Sequence, residues 1–257
     1  MDSGVGGLSI LKEIHRLLPR ERTVYFGDRG NCPYGRRKQE EIDRMARRII
    51  GFLLDRHQCK LVVIACNTIT GSLIDTFRRD YPVPFVGVEP ATRVAIRNTR
   101  SGHIGILATP FTIQSRLFNQ TRSRYAGRDI TVHVQPAPDL VEAVERQELD
   151  LPRTRRLLQE ILAPLLASGV DQVVLGCTHF PFLIPLMESL VPPHVTIIDP
   201  SRAVAAQTRR ILEKKELISD RPSPPLHRLY SSAAPIPAAL LPSLSAGSYR
   251  TFGYFRW

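Results

Sequence analysis

Short runs of aliphatic and β-branched residues alternate along this chain with longer stretches in which apolar side chains return every three or four positions. The runs are TVYFGD (23–28), LVVIAC (61–66), PFVGV (84–88), HIGILAT (103–109), ITVHVQ (130–135), DQVVLGC (171–177) and VTIID (195–199). Runs that stay apolar at consecutive positions mark strands buried on both faces. The stretches 38–56, 69–80, 112–125, 152–168 and 182–190 carry helical spacing instead. This alternation predicts an α/β fold with mostly parallel sheets. The segment from Pro222 to Pro242 holds six prolines and reads as loop and short turns on the surface.

The pattern repeats. VVIACNT (62–68) matches VVLGCTH (173–179) 111 positions later; VYFGD matches VHVQP at an offset of 108; VGVEP (86–90) matches TIIDP (196–200) at about 110. Two similar α/β halves are therefore expected. In that register HIGILATP (103–110) has no partner strand, because its counterpart falls ahead of residue 1 and leaves only DSG (2–4) opposite its polar end. The first half is thus expected to lack its first strand: either Met1 is not the natural start, or the first half is a destabilised truncation.

Composition narrows the function classes. With 257 residues and 43% hydrophobic content the chain can bury substantial cores. No apolar run comes near the ~18 residues of a membrane span, so no membrane partner is expected. Cysteines stand at 32, 59, 66 and 177, in spacings that suit neither a zinc site nor a disulfide framework. Reduced thiols in a cytoplasmic protein are the expectation. The net charge is +11, and 30 of the 35 basic residues are arginine. They lie along helical faces, as in RMARR and RTRR, without interleaved aromatics, so an arginine-rich codon bias is preferred to nucleic-acid binding. GVGG (4–7) fits neither dinucleotide nor P-loop spacing.

The candidate chemistry lies where two of the runs end. Ligands of parallel α/β sheets bind beyond the carboxyl ends of the strands, and Cys66 and Cys177 hold that place in the two repeats. Each is followed by small or polar residues and an expected helix, whose unpaired first amides draw a thiol below its ordinary pKa of ~8.5 and bind carboxylates. One such cysteine is commonly a small buried hydrophobe; two at equivalent places point to paired thiols facing one cleft. Cys32 and Cys59 have no repeat counterpart and read as structural. His179, beside Cys177 in the polar cluster, becomes a candidate.

DSGVGGLSIL (2–11), YFGD…CPYG (25–35), ACNT (65–68), ILAT (106–109) and LGCTHFPFL (175–183) together resemble the aspartate/glutamate racemase family, its glutamate racemases above all, from residue 2 to about 215. The resemblance implies two similar α/β domains related by a pseudo-twofold axis, with the substrate in the cleft between them. On this chain they would be 1–91 plus 205–257, and 92–204. It implies cofactor-independent interconversion of L- and D-glutamate in the cytoplasm, supplying D-glutamate for peptidoglycan, with no metal. By motif, Cys66 and Cys177 would be the acid/base pair, with Cys177 deprotonating L-glutamate and Cys66 the D-isomer. Asp2 would assist the first thiol, and His179 and Glu145 the second. Asp2, Ser3, Tyr34, Gly35, Asn67, Thr68, Thr178 and His179 would bind substrate, with Thr109 and Thr112 lining the cleft. The chain departs from the family pattern where Met1 directly precedes Asp2, where GVEP is one residue short, and where SSAAP (231–235) replaces a Gly-Asp-Pro type of turn. No lysine lies in any motif, which argues against a pyridoxal Schiff base. An aspartate racemase, or a racemase-like scaffold that binds DNA, are the competing readings. A homodimer is left open.

Overall fold

The computed structural model describes residues 1–88, 91–115, 119, 130–220, 222, 225–241 and 248–255. Its elements run α1 (Leu8–Leu17), β1 (Val24–Gly27), α2 (Gln39–Gly51), β2 (Val62–Ile64), α3 (Asn67–Asp80), β3 (Phe85–Gly87), α4 (Thr92–Asn98), β4 (His103–Ala108), α5 (Pro110–Gln114), β5 (Thr131–Pro136), α6 (Asp139–Glu145), α7 (Pro152–Ala167), β6 (Gln172–Gly176), α8 (Ile184–Glu188), β7 (Thr196–Ile198), α9 (Ser201–Lys214), β8 (Leu226–Ser231) and β9 (Ser248–Phe252). Every strand pairing among the described residues is parallel. Each of the seven expected apolar runs contains a strand. The helix expected over 112–125 is seen as α5, and most of the rest of that stretch, like Glu89 and Pro90 of GVEP, lies outside the described residues.

One sheet has the order β5-β4-β6-β7. In the other half β9-β8-β1 form one sheet and β2-β3 another. Met1 and Asp2 stand between these two: Asp2 bridges Gly27 in parallel, and the Ala65 N–H donates to the Met1 carbonyl at 2.9 Å. The line β1, Met1–Asp2, β2, β3 thus mirrors β5, β4, β6, β7, as the repeat register requires. An apolar cavity of about 130 Å³ continues that gap between β1 and β2, against Met1, Val24, Leu53 and Val62.

The cores follow the strands. Val173 and Leu175 of β6 pack with Leu158, Leu162 and Leu165 of α7, and Ile64 packs with Ile69, Leu73 and Phe77 of α3. The boundary expected at 91/92 coincides with the start of α4, whereas that at 204/205 falls inside α9, which lies along α1.

The proline-rich tail differs from its expectation. Leu226–Ser231 is a strand, buried along most of its length and paired to β1, and β9 extends that sheet. The reason is tertiary. The prolines cluster on either side of LHRLYS and leave its own amides free to bond β1 on one edge and β9 on the other.

Candidate active site

Cys66 ends the β2 run and caps α3 with extended backbone, φ −81° and ψ 122°. The first-turn amides of a 14-residue helix therefore open toward the space beside its sulfur. Its thiol donates to Ser3 Oγ at 3.8 Å. Burial, reinforced by the charge of Asp2, pushes this thiol up to about 12, although the Ile69 amide pulls the other way. Asp2 is fully buried and its carboxylate is committed: Oδ2 accepts from the amides of Gly4 and Gly7 at 3.1 and 3.2 Å, and Oδ1 from Thr178 Oγ1 at 3.3 Å.

Cys177 ends β6, but a helix does not follow at once. His179 leads a single tight 3₁₀ turn, Phe180–Leu183, before the short α8. The two repeats therefore diverge at this point, because Pro181 and Pro185 lie where a continuous helix would need amide donors. The turn brings His179 Nδ1 to 3.8 Å from Cys177 Sγ, and Nε2 to 2.9 Å from Glu145 Oε1. Glu145, from the end of α6, is clamped from the other half: Arg29 Nε donates to Oε2 at 2.9 Å and the Val5 amide to Oε1 at 2.6 Å. Burial alone would raise the Glu145 carboxyl, but the bonds from His179, Arg29 and Val5 outweigh it and hold it below the usual carboxylate range. For His179, burial works against the charged form, yet contacts with Cys177, Cys32 and Glu145 raise it well above the ordinary imidazole value. These contacts favour a proton on the ring that faces the second thiol.

GVGG, which matched no nucleotide motif, explains itself here. A Cβ on Gly6 would stand 2.5 Å from His179 Nδ1 and 2.6 Å from Thr178 Oγ1, and one on Gly4 would collide with the Glu145 carboxylate. Both glycines let the first loop close on the Cys177 side.

The two thiols line one cleft together with Ser3, Tyr34, Gly35, Asn67, Thr68, Thr109, Thr178 and His179. Its free volume is about 20 Å³, room for about one water. Asn67 Oδ1 is buried there without a partner, an acceptor suited to an ammonium group. Tyr34 donates to Asp28 Oδ2 at 2.5 Å. Thr112 stands one step back, in the first turn of α5: its amide donates at 3.3 Å to Oγ1 of Thr109, which caps the helix, and the two hydroxyls lie 2.9 Å apart; Thr109, not Thr112, lines the cleft. Glu145 and Asp2 likewise reach the cleft through His179 and Thr178. Cys59 lies apart, on the wall of the apolar cavity near Met1.

A sequence profile of the Asp/Glu/hydantoin racemase family matches residues 5–208. The chain belongs to this family. A glutamate racemase of Pseudomonas putida is 47% identical over 236 residues, covering 91% of this chain and 88% of its own. One from Herpetosiphon aurantiacus is 44% identical over 86% of this chain and 87% of its own length. Among solved structures, Escherichia coli glutamate racemase bound to L-glutamate and an activator superposes with a TM-score of 0.82 at 32% identity, covering 95% of this chain and 91% of that one. A Bacillus anthracis glutamate racemase gives the same TM-score at 30% identity over 97% and 94%. These neighbours share the architecture of two α/β domains with parallel sheets.

Within this racemase scaffold, sequence reasoning missed Arg29, Asp28, Pro33 and Val141, and treated Cys32 as structural. Pro33 and Val141 line the cleft, Asp28 holds Tyr34, and Cys32 Sγ lies 3.9 Å from Glu145 Oε1. Asp28, Cys32 and Pro33 were inside the quoted YFGD…CPYG motif. Arg29 had no signal, because its partner is 116 positions away.

Proposed function

We propose that this chain interconverts L- and D-glutamate by a two-base mechanism needing no cofactor, and so supplies D-glutamate for peptidoglycan. The observation that carries the reading is that Cys66 and Cys177 line the same closed cleft from equivalent strand ends in two halves. Racemisation at Cα requires one group to remove the proton and another to return it on the opposite face, and opposed thiols do this without turning the substrate over. The glutamate preference is supported by relatives 43–47% identical that are glutamate racemases.

In the proposed reaction Cys177 takes the α-proton of L-glutamate while Cys66 delivers one to the other face; the reverse direction exchanges the roles. The imidazolium of His179 stabilises charge on the second sulfur as it forms. Asn67 Oδ1 receives the substrate ammonium. The first amides of α3 and the hydroxyls of Thr68 and Thr178 receive carboxylate oxygens, stabilising the developing charge in a site that excludes water. A cleft of about 20 Å³ does not admit glutamate, so the halves, 1–91 with 205–257 against 92–204, part for binding. The ties that loosen are Asp2–Thr178, Arg29–Glu145 and Arg36 with Asp139 and Glu142.

The test is a polarimetric or coupled assay on L-Glu, D-Glu, L-Asp and D-Asp with protein dialysed against a chelator. Racemisation of both glutamate isomers, with aspartate slow, is expected. Preference for aspartate, or activity restored only by metal or pyridoxal phosphate, would overturn the assignment.

A further inference from the structure

Cys32 has no task in the racemisation, yet it stands directly behind the residues that serve Cys177. Its sulfur, a Glu145 oxygen and a His179 ring nitrogen all lie within 4.8 Å of one another, the one such group of three ligand-type side chains found among the described residues. We infer that Cys32, Glu145 and His179 form a site for a thiophilic divalent cation such as Zn²⁺, and that its occupation switches the enzyme off.

The geometry needs little change. A tetrahedral ion takes S at ~2.3 Å and N or O at ~2.0–2.2 Å, which sets ligand-to-ligand edges of roughly 3.3–3.5 Å. Here His179 Nε2 and Glu145 Oε1 are 2.9 Å apart, and Cys32 Sγ and Glu145 Oε1 are 3.9 Å apart. One edge must open and the other close by roughly half an ångström, within the reach of side-chain torsions. Glu145 is already oriented for it. Arg29 holds Oε2, and Oε1 faces both other donors while also accepting from the Val5 amide, a bond it would share with the ion.

The ion also has a way in. A cavity of about 490 Å³ opens beside Cys32, Glu145, Arg29 and Arg146, sharing Pro33 and Val141 with the wall of the substrate cleft. Three protein ligands leave the fourth tetrahedral position for water from that side, the pattern of an open rather than a closed zinc site.

Charge balances as well. Binding replaces the thiol proton of Cys32 and the Nε2 proton of His179 with one dication, and Arg29 and Glu145 keep their charges. A thiol binds such an ion only as thiolate, so uptake of the metal releases the Cys32 proton. The consequence for catalysis follows from geometry: with Nε2 held by the ion, the ring whose Nδ1 stands 3.8 Å from Cys177 Sγ is locked in place and no longer serves the second thiol through Glu145.

The experiment titrates the full chain with Co²⁺ and Zn²⁺ under reducing conditions. Cobalt bound to a thiolate shows a sulfur-to-metal charge-transfer band, which reads occupancy without reference to racemisation and so tests this inference independently of the proposed activity. The band is expected in the unaltered protein and in the Cys66→Ala/Cys177→Ala double variant, and is expected to be lost in Cys32→Ser. Zn²⁺ should inhibit racemisation reversibly, chelator restoring it, and Cys32→Ser should weaken that inhibition at least ~10-fold, since losing even a supporting partner of a ligand costs that much. Far-UV circular dichroism checks that Cys32→Ser folds; the double variant carries the test if it does not. The inference is overturned if no band forms, if the band vanishes in the double variant, or if Cys32→Ser keeps both band and inhibition.

Discussion

Cys66 and Cys177 close equivalent strands, but what stands behind them differs. On the first side a long helix begins directly at the sulfur, and a buried carboxylate, Asp2, is tied down by two glycine amides. On the second side there is one tight turn, then a line of side chains running from His179 through Glu145 to Arg29. Duplication of an α/β unit has copied the scaffold that presents a thiol. It has not copied the means of managing its proton. In the proposed mechanism the first thiol faces helix amides and the opposing charge of Asp2, and the second faces an imidazole whose partner Glu145 is held by Arg29 and Val5. Because Arg29 and Val5 reach Glu145 across the cleft, the proposed mechanism ties the chemistry of the second side to closure.

The largest expected effect tests what the two sides share. Cys66→Ala and Cys177→Ala should each abolish racemisation, because a full turnover uses both groups, while Cys59→Ala, remote from the cleft, should leave it nearly intact. In deuterated water, product formed early should carry deuterium at Cα and recovered substrate should stay largely protonated. Deuterium entering both pools equally would mean a single base, and the comparison of sides would lose its meaning.

The next effect separates them. His179→Asn should lower kcat by ~10²–10⁴, the span for loss of an acid–base partner, and should fall harder on the direction in which Cys177 removes the proton. Asp2→Asn should weigh on the opposite direction. Hydrogen–deuterium exchange of each enantiomer, measured by NMR, reads the two half-reactions apart, and equal losses in both directions for both variants would break the asymmetry.

Arg29→Ala should act more gently. It leaves Glu145 its bonds to Val5 and His179 but removes a charged hydrogen bond in which both side chains are about 15% exposed. A stability loss of ~1–3 kcal/mol by urea unfolding is expected, with a KM rise smaller than the kcat fall if the clamp serves the closed state. An unchanged kcat would show that the Glu145–His179 contact holds without help from the first half.

The smallest effect lies away from the cleft and belongs to the first half alone. Burial, helped by the neighbouring His227, lowers the His15 imidazole to about 3. The unfolded chain takes up a proton near the ordinary value of 6.5 while the folded one does not, so the unfolded state binds more protons through this window and stability falls as pH drops. His15→Gln should flatten the pH dependence of the melting temperature between about 6.5 and 3. An identical slope in the variant would place the acid sensitivity elsewhere.

The sequence by itself determined the strands of the seven apolar runs, the repeat, and the place of each catalytic candidate. Strands buried on both faces must be apolar without interruption, so each run declares itself locally. The repeat register put the counterpart of HIGILAT ahead of residue 1, with only DSG opposite its polar end; that Met1 and Asp2 bridge β1 and β2 there is seen only in the structure. Cys66 and Cys177 were legible because strand ends in such folds face the ligand, whereas Ser3, Tyr34, Asn67, Thr68 and Thr178 came from the resemblance to the family's motifs. What only the tertiary structure decided is what depends on distant partners. LHRLYS becomes a buried strand because β1 and β9 flank it, and nothing in its proline-rich surroundings announces this. Thr112 is turned inward because its amide and hydroxyl bond the capping Thr109. Cys32 and Arg29 acquire meaning only where the halves meet, since hydrogen-bond geometry between residues more than a hundred positions apart leaves no periodicity in the chain for a reader to find.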